Sequence, residues 1–398
     1  MYRRTLWLLL GSVCLAFIFV ATTGPAVNAA APSGPPIKVG VLVPQTGPLT
    51  ELGNDIKSGL TLAFEEVNWK IAGREVKMII EDTEAKPNVA LQKAKKLVES
   101  ERVDLLAGIV HSGVAMAVRG YADEQKIPIV ITCAVADGLT KDNPSKYLFR
   151  TYYSSGMQAL PIAVYAYKEL NIRKAYLAAQ DYVTGHDVAD SFKALFERLG
   201  GKVIGESYSP IGTTDFAPYL SKIKDVDAVW IFEPGSDGLQ FVKQYNEYGL
   251  KKKVPHLIGV SASFKGYMLD IHKDAGVGAY FSSVWGISLN TPENQKFVGA
   301  YKKMARPSPP DDVLEGSYIG GQVIIRGITN AKGNTKDVPA LLENFKKVKL
   351  VAPSGPFEFD ENRNPIRNVY ILKVIKKDGR YTTEIVSTYK NVHQNWSP

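Results

Sequence analysis

An α/β protein of two doubly wound parallel-sheet lobes is predicted by the order of elements, the chain length and the way the strands end. Short apolar strands alternate with helices along nearly the whole sequence, which predicts parallel sheets covered on both faces. The alternation runs in two series. Roughly 365 residues beyond an export leader exceed what one core usually holds, so two units are expected. Several strands end in Gly or small-residue turns, so their loops can converge on a cleft between units that join at more than one crossing, with a hinge there.

The first 31 residues read as a signal peptide and stand outside the fold. Arg3 and Arg4 supply a positive start, Leu6 to Ala21 an apolar core, and Val27-Asn28-Ala29 the small residues of a cleavage site. That apolar run is too short and too broken for a membrane anchor, and no later segment reaches spanning length. Cys14 lacks a lipoprotein setting, since Gly11-Ser12-Val13 precedes it. Loss of the leader leaves Cys133 alone, so no internal disulfide is expected. It also removes two arginines, taking the formal charge from +8 to about +6. Basic and acidic residues are interspersed, and Lys251-Lys252-Lys253 is the one tight cluster, without interleaved aromatics. Nucleic-acid binding is not expected.

Ile37 to Val43 forms the first strand, stopped by Pro44-Gln-Thr-Gly-Pro48. A helix follows over Glu51 to Asn68, a strand over Arg74 to Glu81, and a helix over Pro87 to Ser100. Leu105 to Ala107 is a third strand and Pro128 to Thr132 a fourth, leading into Cys133-Ala-Val-Ala-Asp137. The second series starts after Tyr147-Leu-Phe-Arg150. It places helices over Ser155 to Leu170, Gly185 to Leu199, Phe216 to Lys224 and Asp237 to Tyr248. Its strands are Lys174 to Ala179, Lys202 to Tyr208, Ala228 to Phe232, His256 to Val260 and Ala279 to Val284. Helices over Pro292 to Met304, Val313 to Ala331 and Val338 to Lys346 come next. The chain ends in antiparallel strands at Gly355 to Phe359 and Val369 to Ile375.

The stretch Asp104 to Ala117 is the most informative. A buried strand ends in Gly108-Ile-Val-His111, and Ser112-Gly113 opens an apolar helix with Ser112 as its expected N-cap. The first amides of such a helix have no backbone partner and the helix dipole is positive there, so the junction can cradle a carboxylate or phosphate. In doubly wound sheets ligands bind at this end of the strands.

In sequence the chain resembles the branched-chain amino acid (Leu/Ile/Val) type solute-binding proteins of ABC importers. The likeness rests on Val39-Gly-Val-Leu-Val-Pro-Gln-Thr-Gly-Pro48, Gly53, Asp82, Pro128-Ile-Val-Ile-Thr132, Leu139-Thr140 and Phe149-Arg150-Thr151. It continues through Asp181-Tyr-Val-Thr-Gly185, Gly200-Gly201, Thr214-Asp215-Phe216 and Gly355-Pro-Phe-Glu-Phe-Asp360. The resemblance implies a type I periplasmic binding fold with a three-strand hinge. Its lobes would comprise 32–150 with 286–358, and 151–285 with 359–398. It also implies an extracytoplasmic, monomeric protein that passes a small solute to a permease, with no chemistry, cofactor or metal.

By the same resemblance, the ligand carboxylate would meet Ser112, Gly113, Ala134 and Ala136, with Ala136 replacing the family's Thr. Ser261 stands where the family's ammonium-binding Glu would be, Thr184 where an aromatic precedes Gly185, and Leu52 where a Tyr lies in the first helix region. A buried ammonium without an acid would cost several kcal/mol, on the order of other uncompensated buried ions. The ligand is therefore expected to be a carboxylate without an ammonium. Glu233 could supply the missing acid, and then an aliphatic amino acid or amide is the alternative. Tyr152, Tyr153, Tyr182, Phe264, Trp285 and Tyr318 are available to a cleft and suit an aryl or arylpropenoic acid, as in the aromatic-acid-binding subset of the family.

Plainer roles stand beside these. His111 either donates to a carboxylate or hydrogen-bonds its own turn; Cys133 either meets ligand or packs as a small apolar residue. Arg150 either contacts ligand or forms a hinge salt bridge, and Asp82 fixes a loop. An enzyme finds no support: the sequence has no G-x-G-x-x-G after the first strand, no G-x-x-x-x-G-K-[ST] and no G-x-S-x-G. His111, His186, His256, His272 and His393 show no metal-ligand spacing. A sensor module with a separate signalling partner is the reading from another class.

Overall fold

Strand β1 (Ile37–Val43) is apolar on both faces, and Val39, Val41 and Leu42 are fully buried, as in a central parallel strand covered by helices on each side. The structure, a computed structural model, describes residues 34–141, 143–304, 306 and 308–398; the signal peptide with its Cys14 lies outside the described residues. After β1 come α1 (Thr50–Glu66), β2 (Lys70–Ile71), β3 (Arg74–Asp82), α2 (Pro87–Lys95), β4 (Leu105–Gly108), α3 (Ser112–Gln125), β5 (Ile129–Ile131) and β6 (Leu148–Arg150). The first sheet has the order β2-β3-β1-β4-β5-β6, parallel apart from the short β2. Asp82 fixes the loop after β1, accepting from the Gln45 amide and the Thr46 hydroxyl, each at 2.8 Å.

The second lobe carries α4 (Ser155–Lys168), β7 (Lys174–Gln180), α5 (Val183–Arg198), β8 (Lys202–Ser209), α6 (Ala217–Leu220) and β9 (Ala228–Phe232). It continues with α7 (Ser236–Glu247), α8 (Leu250–Lys253), β10 (His256–Val260), α9 (Gly266–His272) and β11 (Tyr280–Ser283). The chain then returns through α10 (Pro292–Lys303) to α11 (Asp312–Asn330), which packs along α1. The approach is so close that a Cβ on Gly59 would lie 2.2 Å from the Leu314 carbonyl oxygen. Last come α12 (Val338–Lys346), β12 (Leu350–Ala352), β13 (Gly355–Phe359), β14 (Pro365–Lys377) and β15 (Arg380–Val392). The second sheet runs β12-β13-β14-β11-β10-β9-β7-β8, with β15 beside β14. Strands β7 to β11 are parallel and the later ones antiparallel. The chain thus passes between the lobes after β6, after β11 and again through β12 to β14.

The C-terminal sheet extends well beyond the expected Val369 to Ile375. β14 and β15 form a long hairpin closed at Asp378-Gly379, where both residues have positive φ (51° and 77°), the tight-turn conformation this pair favours. β15 is exposed or half-buried along most of its length and so carries little apolar signal. Helix α9 and strand β2 are also unforeseen, both being short. No helix of the described residues is long and apolar enough to cross a membrane.

His272 ends α9, buried, with Nε2 3.3 Å from the Gly238 carbonyl; burial lowers its pKa from 6.5 to about 4. Below pH 6.5 the unfolded chain therefore takes up a proton that the folded one refuses. This contribution to stability is present above pH 6.5 and is lost as pH falls through about 4, to the extent of about 3 kcal/mol. His272→Leu is expected to flatten the stability profile between these pH values, measured by urea unfolding at pH 7 and pH 4.5.

Candidate functional site

Between the lobes lies a cavity of about 40 Å³, at the C-terminal ends of β1, β4 and β5 on one side and of β7, β9 and β10 on the other. Six loops converge there because parallel strands all deliver their exits to one edge of the sheet.

The first-lobe wall is built on the turn after β4. Gly108 has φ +109° and lies against Leu42, where a Cβ would come within 2.7 Å of a carbonyl oxygen. The chain then turns at Val110 into α3. His111, not Ser112, is the N-cap: its Nδ1 accepts from the Val114 amide at 3.3 Å. Burial lowers the His111 pKa, in keeping with a neutral ring that accepts there. The Ser112 hydroxyl is free for longer-range work. It accepts from the Val135 and Ala136 amides, each at 3.2 Å, and from Thr184 Oγ1 of the second lobe at 2.7 Å. One oxygen thereby ties together the loops after β4, β5 and β7. The Ala134 amide donates to the Ile109 carbonyl at 3.0 Å, so the amides of residues 134 to 136 are all engaged within the protein.

Across the cleft, Tyr182 stacks on His111 with ring centroids 4.8 Å apart and also faces Phe232. Of the sequence-predicted residues, Leu52, Ser112, Tyr152, Tyr182 and Thr184 line the cavity. His111, Gly113, Ala134 and Ala136 do not; the His111 ring sits 3.0 Å from where a Gly113 Cβ would be, and the two alanines are buried beside the lining Cys133 and Val135. Cys133 is buried, and burial pushes its thiol pKa up, so it stays a neutral thiol.

Two expected residues are placed differently. Glu233 is buried and outside the lining; its carboxyl accepts from Ser209 Oγ at 3.0 Å and 3.2 Å, and burial pushes its pKa well above the usual carboxylate range. The described cavity lining therefore includes no carboxylate. Ser261 also lies outside this lining: its hydroxyl meets Tyr153 Oη at 2.8 Å and donates to Asp312. Arg150 lies outside the cavity lining and forms no ion pair among the described residues. It is fully buried, and it holds the binding loop by donating to the Ala136 carbonyl at 3.0 Å and to Thr140 Oγ1. Of the other aromatics, Phe264 and Trp285 line a separate, larger cleft, and Tyr318 bonds Glu66.

Three functional candidates escape the sequence reading. Lys265, in the loop after β10, is 2% exposed; it bonds Asp312 and donates to Tyr152 Oη at 3.2 Å. Burial alone would lower its pKa, but Asp312 and Asp311 raise it, so the ammonium stays charged. Asp312 opens α11. Burial opposes its ionisation, yet Lys265 and the Ser261 and Tyr152 hydroxyls hold its carboxyl below the usual range, and Ser283 Oγ also donates to it at 2.9 Å. Gln158 of α4 is 2% exposed, and its Nε2 has no hydrogen-bond partner among the described residues. Asp311-Asp312 is a recognisable helix start, but nothing local marks Lys265 or Gln158 as buried. Among the described residues that line the cavity, Lys265 is the only charged one.

Residues 36–380 match the family described as periplasmic binding protein. A Leu/Ile/Val-binding protein homolog 6 of Brucella melitensis is 31% identical over 361 residues, covering 89% of this chain and 92% of that one. An ABC transporter substrate-binding protein from Sphaerobacter thermophilus is 35% identical, with a TM-score of 0.85 over 91% of this chain and 99% of that one. An ABC transporter solute-binding protein of Rhodopseudomonas palustris HaA2, solved in complex with p-hydroxybenzoic acid, is 30% identical, with a TM-score of 0.86 and coverages of 91% and 99%. The two α/β lobes expected from the sequence are those observed, and this chain belongs to the periplasmic binding protein family.

Proposed function

We propose that the chain is the extracytoplasmic solute-binding component of an ABC importer and that its solute is a small aromatic carboxylate. It does no chemistry: the lobes close over the solute, and the closed form is the one presented to the permease. The signal peptide read from the sequence supports export, and the Rhodopseudomonas relative was solved with an aromatic acid. One observation carries the choice of ligand class. The described cavity lining is apolar and aromatic, with Tyr152, Tyr182 and Phe232 among its walls, and it holds no carboxylate to receive an ammonium. The one acid in reserve, Glu233, is engaged by Ser209.

The test is a thermal-shift and calorimetric comparison on ligand-stripped mature protein. Benzoate, 4-hydroxybenzoate and trans-cinnamate are set against Leu, Ile and Val. A ligand at about a hundred times its Kd adds about 2.7 kcal/mol and raises the Tm by a few degrees. Stabilisation by the aryl acids and none by the amino acids is expected; the reverse result would overturn the assignment.

A further inference from the structure

We infer that the ligand carboxylate is held by Lys265 and Gln158, at the second-lobe and hinge side of the cavity, rather than by the helix start at Ser112. This rests on the reading of a carboxylate ligand and names the pole of the cavity that receives it.

Hydrogen-bond donors distinguish the two poles of the cavity. At the first-lobe pole, the amides of Ala134, Val135 and Ala136 and the amide of Val114 have protein partners, and the Ser112 oxygen already receives three donors; of the helix start only the Ser112 and Gly113 amides are left, and Gly113 lies outside the cavity lining. At the other pole donors remain. An ammonium has three N–H groups. Lys265 directs one to Asp312 and one to Tyr152 Oη; the Asp311 carboxylate, at 3.9 Å, is beyond hydrogen-bond reach. One N–H is left over, on a side chain that lines the cavity. The side-chain amide of Gln158, which lines the same cavity, keeps Nε2 without a partner. A buried donor left unmatched is costly, and a charge-assisted bond to a carboxylate is the strongest way to satisfy it.

The existing pair with Asp312 does not cancel the attraction. Asp312 receives hydroxyls from Ser261, Ser283 and Tyr153 on its second oxygen, and it lies in the first turn of α11, where the helix dipole favours negative charge. Its charge is thus satisfied by several groups besides Lys265, which leaves the ammonium able to serve a second anion. Lys265 also lines the larger cleft on the far side of the pair, so Lys265 and Asp312 form part of the partition between the two spaces.

The experiment measures Kd by calorimetry for benzoate, 4-hydroxybenzoate and trans-cinnamate, each beside its neutral primary amide. The main variant is Lys265→Met with Asp312→Asn, which removes both buried charges together. It is expected to lose at least about thirtyfold on the carboxylates and less than about threefold on the amides, the range of one bond to a charged group. Gln158→Leu is expected to lose about tenfold on the carboxylates alone. Gln158→Glu places an acid beside the free N–H and keeps the Lys265–Asp312 pair. It is expected to lose at least about thirtyfold on the carboxylates, and it decides the matter if the double variant fails to fold. Carboxylate affinity within threefold of the unaltered protein in the folded double variant or in Gln158→Glu overturns the inference, as does an equal loss on the amides. An unaltered protein that binds none of the three acids overturns the ligand class itself, and this inference with it.

Discussion

Arg367→Met is expected to destabilise the protein by about 3–5 kcal/mol, the cost of leaving a buried partner without its counter-charge. Arg367, on β14, is 1% exposed, and its guanidinium reaches three segments. It donates to Glu315 Oε2 of α11 at 2.6 Å, to Ser354 Oγ between β12 and β13 at 2.7 Å, and to the Thr151 carbonyl just after β6 at 2.8 Å. These segments lie at or beside two of the passages between the lobes. Burial raises the pKa of Glu315 and Arg367 only partly offsets this, so Glu315 without Arg367 would protonate or stay charged at high cost. The paired variant Arg367→Met with Glu315→Leu is expected to recover most of the loss, because matched apolar side chains can replace a buried ion pair. Urea unfolding of the single and paired variants measures both effects. A single-variant loss below about 1 kcal/mol would show that the pair does not hold the crossings together.

Gly235→Val is expected to leave the two lobes folded and to lower ligand affinity about a hundredfold, close to 3 kcal/mol. Gly235 precedes α7 at the rim of the second lobe with φ +71°, and a Cβ there would lie 2.5 Å from the Pro48 carbonyl oxygen of the first lobe. The lobes would have to part to accept it, which pulls Tyr182 from His111 and Thr184 from Ser112. The backbone strain of a side chain at φ 71° and ψ −143°, a region nearly reserved for glycine, costs about 1–3 kcal/mol, which a protein of this size tolerates. Calorimetry with 4-hydroxybenzoate, alongside the melting curve of the free variant, separates loss of closure from loss of fold. Unchanged affinity would mean that the Pro48–Gly235 contact is no part of the bound state.

The regular elements were largely legible because each depends on its own residues. The apolar runs of β1, β7, β9 and β10 and the helices α1, α5 and α7 are found within a residue or two of the expected bounds. β15 was not, although Asp378-Gly379 is a turn signal, because an exposed hairpin lacks the apolar pattern that marks a buried strand. The site was legible in part. Ser112, Tyr182 and Thr184 follow strand ends and meet at the cavity, but the helix cap shifted by one residue to His111, whose ring could also accept the Val114 amide.

By itself the sequence determined the class of fold and the edge of the sheets at which a ligand would lie, because strand order and strand exits are written in local periodicity and turn chemistry. Only the tertiary structure decided which charges face the cavity. Glu233 and Lys265 are both polar residues in loops beyond second-lobe strands, yet Ser209 draws one carboxyl away and Asp312, from the other lobe, holds the other residue's ammonium at the wall. Their partners lie 24 and 47 positions away in the chain, and the state of a buried charge depends on such partners and not on its neighbours in sequence.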